Sequence, residues 1–206
     1  MGLLSSGVSI NRFRVEGKIE KPLLENVAIA LRTHAITETE GEDGLWEKKV
    51  GWTSFPDPYN PHFEGSTFVY GAYFIFSFRI DRKVIPSQVF KKHDALEAAR
   101  RLKETGRRYL TRDEKNMIKE NVLSVLRVRI PAIPQVYDLM WNYEEKVLWF
   151  FSNLKAANEE FESLFSQSFH LTLIRLFPYT LADLTAGLTA TQRDVLLKLS
   201  PTDFVE

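Results

Sequence analysis

The chain shows two hydrophobic periodicities, and their alternation predicts an ordered series of strands and helices. Residues 8–15 alternate apolar and polar side chains, which is typical of a half-buried strand. After Pro22, which suits the first turn of a helix, apolar side chains follow helical spacing to about residue 35. Residues 50–55 predict a second strand. Residues 66–80, dense in Phe, Tyr, Val and Ile, predict a long β-rich segment at the centre of a sheet.

Two charged helices are predicted next. Pro86 opens the first, and Gly106 provides a C-cap. The second begins at a capping box, in which Thr111 accepts from the backbone of Glu114 while the glutamate reaches back. Two helices joined by a short link form a helical hairpin. Because the apolar stripe of each helix is narrow and charged residues cover the outer faces, we expect the hairpin to project as an arm.

The remaining pattern returns to strands and then to helix. It predicts a strand pair at residues 136–143 and 146–151, followed by a helix at residues 156–165. A strand at residues 169–176 and a helical tail after Pro178 complete the series. This element order predicts an α+β fold of mostly antiparallel sheets with packed helices, rather than a parallel βαβ sheet. We therefore predict a body made of residues 1–85 and 132–206, with the hairpin of residues 86–131 inserted in it.

The net charge of zero hides a strong internal asymmetry. Residues 79–129 contain 15 Lys and Arg against 7 Asp and Glu, so the remainder holds 12 basic and 20 acidic residues. Concentrated positive charge attracts phosphate backbones. The candidate nucleic-acid-binding residues on and beside the hairpin are Lys91, Lys92, Arg100, Arg101, Arg107, Arg108, Arg112, Lys115, Lys119, Arg127 and Arg129. The alternative is a solvated helical surface on which Glu97, Glu104, Asp113 and Glu120 form intrahelical ion pairs.

Composition excludes several other classes of function. The chain has no Cys, so disulfides, thiolate metal sites and cysteine nucleophiles are ruled out. The longest apolar stretch, residues 68–78, is far too short to span a membrane. The N-terminus lacks the basic segment and long apolar run of a signal peptide. We expect a cytoplasmic protein without a membrane partner.

The sequence indicates no catalytic centre, metal or cofactor. The four histidines are scattered without metal-ligand spacing, and phosphate-binding loops and nucleophile elbows are absent. A Mg²⁺-dependent nuclease would need several carboxylates gathered around the metal ion. The dense acidic run at residues 38–43 instead resembles a loop. Six aromatic side chains could form a base-stacking platform, but their period of two predicts that most are core: Phe68, Tyr70, Tyr73, Phe74, Phe76 and Phe78.

Several segments together resemble the RdgC family of bacterial recombination-associated proteins. The segment Lys83-Val-Ile-Pro-Ser-Gln-Val resembles the family's ILPSPVI stretch. Supporting matches in the same order are Ile10-Asn-Arg-Phe, Val50-Gly-Trp52, the charged hairpin, residues 119–129, the following strand pair and Ala156-Ala157-Asn-Glu-Glu. The resemblance covers roughly residues 8–176, and it rests on order and spacing.

The resemblance implies a DNA-binding protein without strong sequence preference, which favours duplex DNA. It implies a homodimer, a ring that encircles DNA and restrains recombinase filaments, and a nucleoid-associated role in recombination or replication, with recombination proteins as further partners. The family's Leu-Pro-Arg-Ala-Phe segment corresponds here to Arg127-Val-Arg-Ile-Pro131, so Arg129 matches the family arginine while Pro131 replaces the aromatic residue. A protein–protein interaction module without DNA binding is the alternative, favoured by this departure and by the neutral total charge.

Overall fold

A computed structural model describes residues 2–37 and 45–200 of the chain. Its strands are β1 Asn11–Glu16, β2 Lys48–Thr53, β3 Val69–Tyr70, β4 Tyr73–Arg82, β5 Ile133–Asn142, β6 Val147–Phe150 and β7 Thr172–Arg175. Its helices are α1 Leu23–Thr33, α2 Ser87–Thr105, α3 Arg112–Arg129, α4 Lys155–Phe169, α5 Pro178–Thr185 and α6 Ala190–Lys198. The strands form one sheet in the order β2-β4-β5-β6-β1-β7, with β3 paired to β4, and every strand pair is antiparallel.

The architecture confirms the predicted α+β fold, and most predicted elements occur near their expected positions. The predicted boundary between helix and strand near residue 169 was wrong, because α4 continues through Phe169. The ring of Phe169 lies 4.8 Å from Phe165 and 5.4 Å from Trp141, so core packing holds this last turn in the helix. The predicted acidic loop falls at residues 38–44, which lie outside the described residues.

The main core lies between one face of the sheet and the helices α1 and α4. Alternate residues of β4, among them Phe76 and Phe78, point into it with at most 2% of their surface exposed. From the helical side, Phe161 stacks on Phe150 with ring centroids 4.2 Å apart. Trp52 is fully buried and donates its indole N–H to Ser168 Oγ at 2.8 Å. The core is therefore dominated by aromatic contacts between α4 and the central strands.

The opposite face of β4 carries a buried ion pair. Arg79 and Asp81 are 5% and 6% exposed, and the guanidinium meets the carboxylate through two hydrogen bonds of 2.7 and 2.8 Å. Arg79 also donates to the Pro58 carbonyl at 3.3 Å. Thr53 Oγ1 donates to the same carbonyl, so the proline-rich loop is held over this face. Arg79 therefore begins the basic segment in the sequence but serves the fold.

The helical hairpin of α2 and α3 has its own small apolar cluster. Three residues of α3, Ile118, Val122 and Leu126, are buried, while every residue of α2 is at least partly exposed. The main core is formed by different side chains. The predicted capping box is confirmed, because Thr111 Oγ1 accepts from Glu114 N–H at 3.2 Å and the glutamate accepts from Thr111 N–H at 2.8 Å. Gly106 adopts φ +66° at the end of α2, as its C-cap role requires. The division into body and inserted arm stays a prediction.

Candidate nucleic-acid interface

Two of the predicted binding residues on α2, Arg100 and Arg101, form ion pairs with carboxylates of the same helix. Arg100 donates from Nε to Glu104 Oε1 at 3.0 Å, and its Nη1 lies 3.6 Å from Glu97. Arg101 lies 4.0 Å from Glu104. The hydrogen bond to Glu104 raises the pKa of Arg100, with the negative charge of Glu97 adding to the effect. These ion pairs have the i, i+3 and i, i+4 spacing expected of a solvated helical surface, which was the alternative to a nucleic-acid-binding surface. Each of the two interpretations therefore describes part of the hairpin.

Arg107 is paired across the turn of the hairpin rather than along one helix. Its Nη2 donates to Glu114 Oε1 at 2.7 Å, and Glu114 is also a member of the capping box. The backbone N–H of Thr111 is the largest cause that lowers the pKa of Glu114, and the Thr111 hydroxyl and Arg107 lower it further. Glu114 therefore joins the start of α3 to the loop before it, and it offsets the charge of Arg107.

Arg127 lies at the base of the hairpin and connects it to the sheet. Its guanidinium forms an ion pair with Glu47, and its backbone carbonyl accepts a hydrogen bond of 2.7 Å from Lys83 Nζ. Lys83 itself lies over the Trp46 ring at 4.5 Å. The Arg127 side chain is about two-thirds buried and is already paired with Glu47. Its contacts therefore anchor the hairpin to the sheet.

The remaining predicted cations are exposed and form no ion pair within the described part of the chain. They are Lys91, Lys92, Arg108, Arg112, Lys115, Lys119 and Arg129. On α3, Arg112, Lys115 and Lys119 have i, i+3 and i+7 spacing, so they form one basic stripe along the helix. We call these three residues the α3 stripe. An exposed cation without a carboxylate partner keeps its full charge for a phosphate group.

The other flank of the hairpin has a different character. A groove of about 380 Å³ lies between the helices and is lined by Leu96, Val125, Arg100 and Arg129 among others. Next to it, Met117 and Arg101 line a smaller cavity. Met117 and Lys119 are two positions apart on α3, so they face different sides of the helix. Arg100, Arg101 and Arg129 therefore border cavities of mixed polar and apolar lining, apart from the α3 stripe.

The aromatic residues of β4 are mostly core, as the period of two predicted. Phe68, Phe74, Phe76 and Phe78 are 2% exposed or less, which leaves no ring face for a nucleobase. Tyr73 is half-buried and lies on the other face of the sheet, where its ring is 6.2 Å from Trp149. That second face also carries Arg12, opposite Trp149 in the sheet. Sequence reasoning missed this arrangement, although the alternation in β1 placed Arg12 opposite to the core residue Phe13.

Residues 2–37 and 45–200 contain no group of three or more His, Asp or Glu side chains placed to hold a metal ion, and the acidic run at 38–43 lies outside these ranges. None of the helices in the same ranges combines the length and the apolar character that crossing a bilayer requires.

Comparison with protein families identifies the relationship of this chain. The family described as "Putative exonuclease, RdgC" matches residues 9–189 of the 206 residues. The chain belongs to the RdgC family. The match confirms the resemblance drawn from the order of segments, and it includes the sheet, the hairpin and α5. Membership associates the protein with recombination. A search among curated proteins gave no match.

Proposed function

We propose that this RdgC-family protein binds DNA without sequence preference, by electrostatic contact between the hairpin and the phosphate backbone. The observation that carries the proposal is the α3 stripe, in which Arg112, Lys115 and Lys119 are exposed, share one side of a helix and have no ion-pair partner among the described residues. Lys91, Lys92 and Arg108 add exposed charge on α2 and in the turn. Phosphate contacts of this kind position a protein on DNA and carry no sequence information.

The spacing of the α3 stripe suits the regular repeat of phosphate groups along a DNA strand. Consecutive positions three and four residues apart rise by about 4.5 to 6 Å along a helix axis, which is comparable to the distance between phosphates along a strand. Long Lys and Arg side chains can adjust to the phosphate spacing of either DNA strand. The proposed mechanism is therefore clamping by charge. We further propose that the protein acts at the nucleoid in recombination or replication, beside recombination proteins.

A titration of labelled duplex DNA against salt tests the proposal. The wild-type protein should bind different sequences alike and lose affinity as salt rises. The variant Arg112→Gln/Lys115→Gln/Lys119→Gln should bind more weakly to every sequence. It should also show a salt slope smaller by about three, one for each lost phosphate contact. Absence of binding at low salt, or a binding constant independent of salt, would contradict the proposal.

A matched variant controls for net charge. Lys18→Gln/Arg32→Gln/Lys198→Gln removes three exposed cations outside the hairpin that form no ion pair among the described residues, and we expect it to bind duplex DNA nearly as the wild type does. Arg107→Gln offers an internal comparison, because its charge is already offset by Glu114. Its effect should be smaller than that of Arg112→Gln. Equal losses in the stripe and control variants would mean that binding follows net charge alone.

A protein–protein interaction is the second candidate function, and exposed apolar side chains on the hairpin favour it. Leu96, Met117, Val125 and Val128 are 58%, 68%, 40% and 55% exposed. On α3, Met117, Val125 and Val128 follow helical spacing and form an exposed apolar stripe beside the buried residues of that helix. We propose that this surface joins two copies into the homodimer. Light scattering of the wild type and of Met117→Glu/Val125→Glu tests this, and an unchanged mass would contradict it.

A further inference from the structure

We propose that the second face of the sheet holds a binding site for the bases of single-stranded nucleic acid, centred on Trp149 and Arg12. The inference rests on the proposed DNA binding and names a second contact for it. The site would be separate from the α3 stripe and would engage bases rather than phosphates alone.

The register of the strands places a row of unlike side chains across the second face. Trp149 pairs with Met140 on one side and with Arg12 on the other, and Met140 pairs in turn with Ile75. Directly paired residues point to the same face of a sheet. The ring of Trp149 is half-buried and lies 6.2 Å from Tyr73, whose row is next along β4. An indole and a phenol ring therefore lie side by side on the face that α1 and α4 leave uncovered.

A groove borders this row. It has a volume of about 650 Å³ and runs between the sheet and α5, with Trp149, Arg12, Leu176, Phe177 and Leu181 in its walls. Phe177 is 50% exposed at its rim, and its ring stacks on Tyr179 with an interplanar angle of 20°. The groove thus offers aromatic surface from both of its sides. Its dimensions are large enough for a planar heterocycle.

The charge of the groove selects among possible occupants. Among the described residues that line the groove, Arg12 is the only charged one, and none carries a carboxylate. The guanidinium of Arg12 is exposed and has no hydrogen bond or ion pair to another side chain within the described residues. Apolar and aromatic walls with one unpaired cation suit an occupant that carries a flat apolar ring next to an anion. A nucleotide has this chemistry, with its base against the rings and its phosphate near the arginine.

Single strands fit this site better than duplex DNA. In a duplex the base faces are stacked on one another, so that only edges and backbone are available. In a single strand each base exposes a π-face, and stacking on aromatic side chains tolerates every base. The α3 stripe supplies phosphate contacts that either form of DNA can use. The two surfaces should therefore respond differently to the two forms.

Variants of exposed residues test the site without disturbing the core. Phe177→Ala and Arg12→Gln should each weaken binding to labelled oligothymidine by about tenfold, and should leave binding to a duplex of equal length unchanged. The controls are Leu154→Ala, an exposed apolar truncation outside the groove, and Arg32→Gln, which removes an exposed arginine that forms no ion pair among the described residues. Both controls should bind each DNA as the wild type does. Unchanged melting temperatures would show that each variant is folded.

A crosslinking experiment gives an independent readout. Oligothymidine with photoreactive bromodeoxyuridine should crosslink to peptides that contain Trp149 or Phe177, and crosslinks confined to the hairpin would overturn the inference. If the wild type binds both DNAs but Phe177→Ala and Arg12→Gln bind oligothymidine normally, the groove takes another occupant, such as an apolar peptide, and the inference is wrong. If the wild type binds neither DNA, the proposed function itself fails.

Discussion

The sheet and the helical hairpin bury apolar side chains to very different extents. Among the described residues, 23 buried side chains form the main cluster of the sheet with α1 and α4, whereas three form the cluster of the hairpin. Conversely, the exposed cations of the proposed interface lie on the hairpin. An element with little buried apolar surface opens at a lower free-energy cost than a large core. Exposed charge and close packing are therefore concentrated in different parts of this molecule.

Removing a ring from the main core should have the largest effect. Phe161 is fully buried and stacks on Phe150, so Phe161→Ala leaves a cavity that the neighbouring aromatic rings cannot fill. We expect the free energy of unfolding to fall by about 4 kcal/mol. Urea denaturation followed by circular dichroism measures it. A loss below about 1 kcal/mol would mean that the core relaxes far more than close packing allows.

Truncation of the hairpin cluster should have a smaller and more local effect. Leu126 is 4% exposed, and Leu126→Ala should destabilise the hairpin by about 2 kcal/mol. Amide hydrogen exchange should then accelerate in α2 and α3 while β4 keeps its protection. Leu197→Ala, at a position on α6 that is 65% exposed, is the matched control and should leave exchange in α2 and α3 unchanged. Equal acceleration in the sheet would show that hairpin and sheet unfold as one unit.

The capping box should give the smallest effect, and one that depends on pH. Thr111→Ala removes the side chain that accepts from Glu114 N–H and should cost about 1 kcal/mol. Because the pKa of Glu114 is lowered in the folded protein, its contribution is present above its unfolded pKa and is lost as pH falls through its folded pKa. Hydrogen exchange in α3 should therefore lose protection on acidification.

Glu114→Gln provides the control for that pH dependence. Glutamine can still reach the Thr111 N–H but does not titrate, so the acid-induced loss of protection in α3 should be smaller than in the wild type. Hydrogen exchange in the sheet is measured in the same experiment and serves as the reference for α3. If wild type and Glu114→Gln respond to acid identically, another group controls the stability of α3.

Much of the fold followed from local patterns. The alternation in β1 and β4, the Gly106 C-cap and the Thr111 capping box depend on residues a few positions apart, and the structure contains each of them. The boundary at Phe169 was missed because its ring packs on Trp141, which is distant in the sequence. In the candidate site, the spacing of Glu97 and Glu104 predicted their pairs with Arg100, whereas the partners of Arg107 and Arg127 lie across a turn and on another segment and were not predicted.

The periodicities, the helix caps, the concentration of positive charge in residues 79–129 and the family can be read from the amino-acid order, because each depends on neighbours or on residue order. The availability of each charge depends on the folded chain. Arg127 is joined to Glu47 and Arg107 to Glu114, while the α3 stripe stays exposed. Trp149 is aligned with Arg12 across neighbouring strands. The contacts of Arg127 with Glu47 and of Trp149 with Arg12 join segments far apart in the chain, which no local pattern specifies.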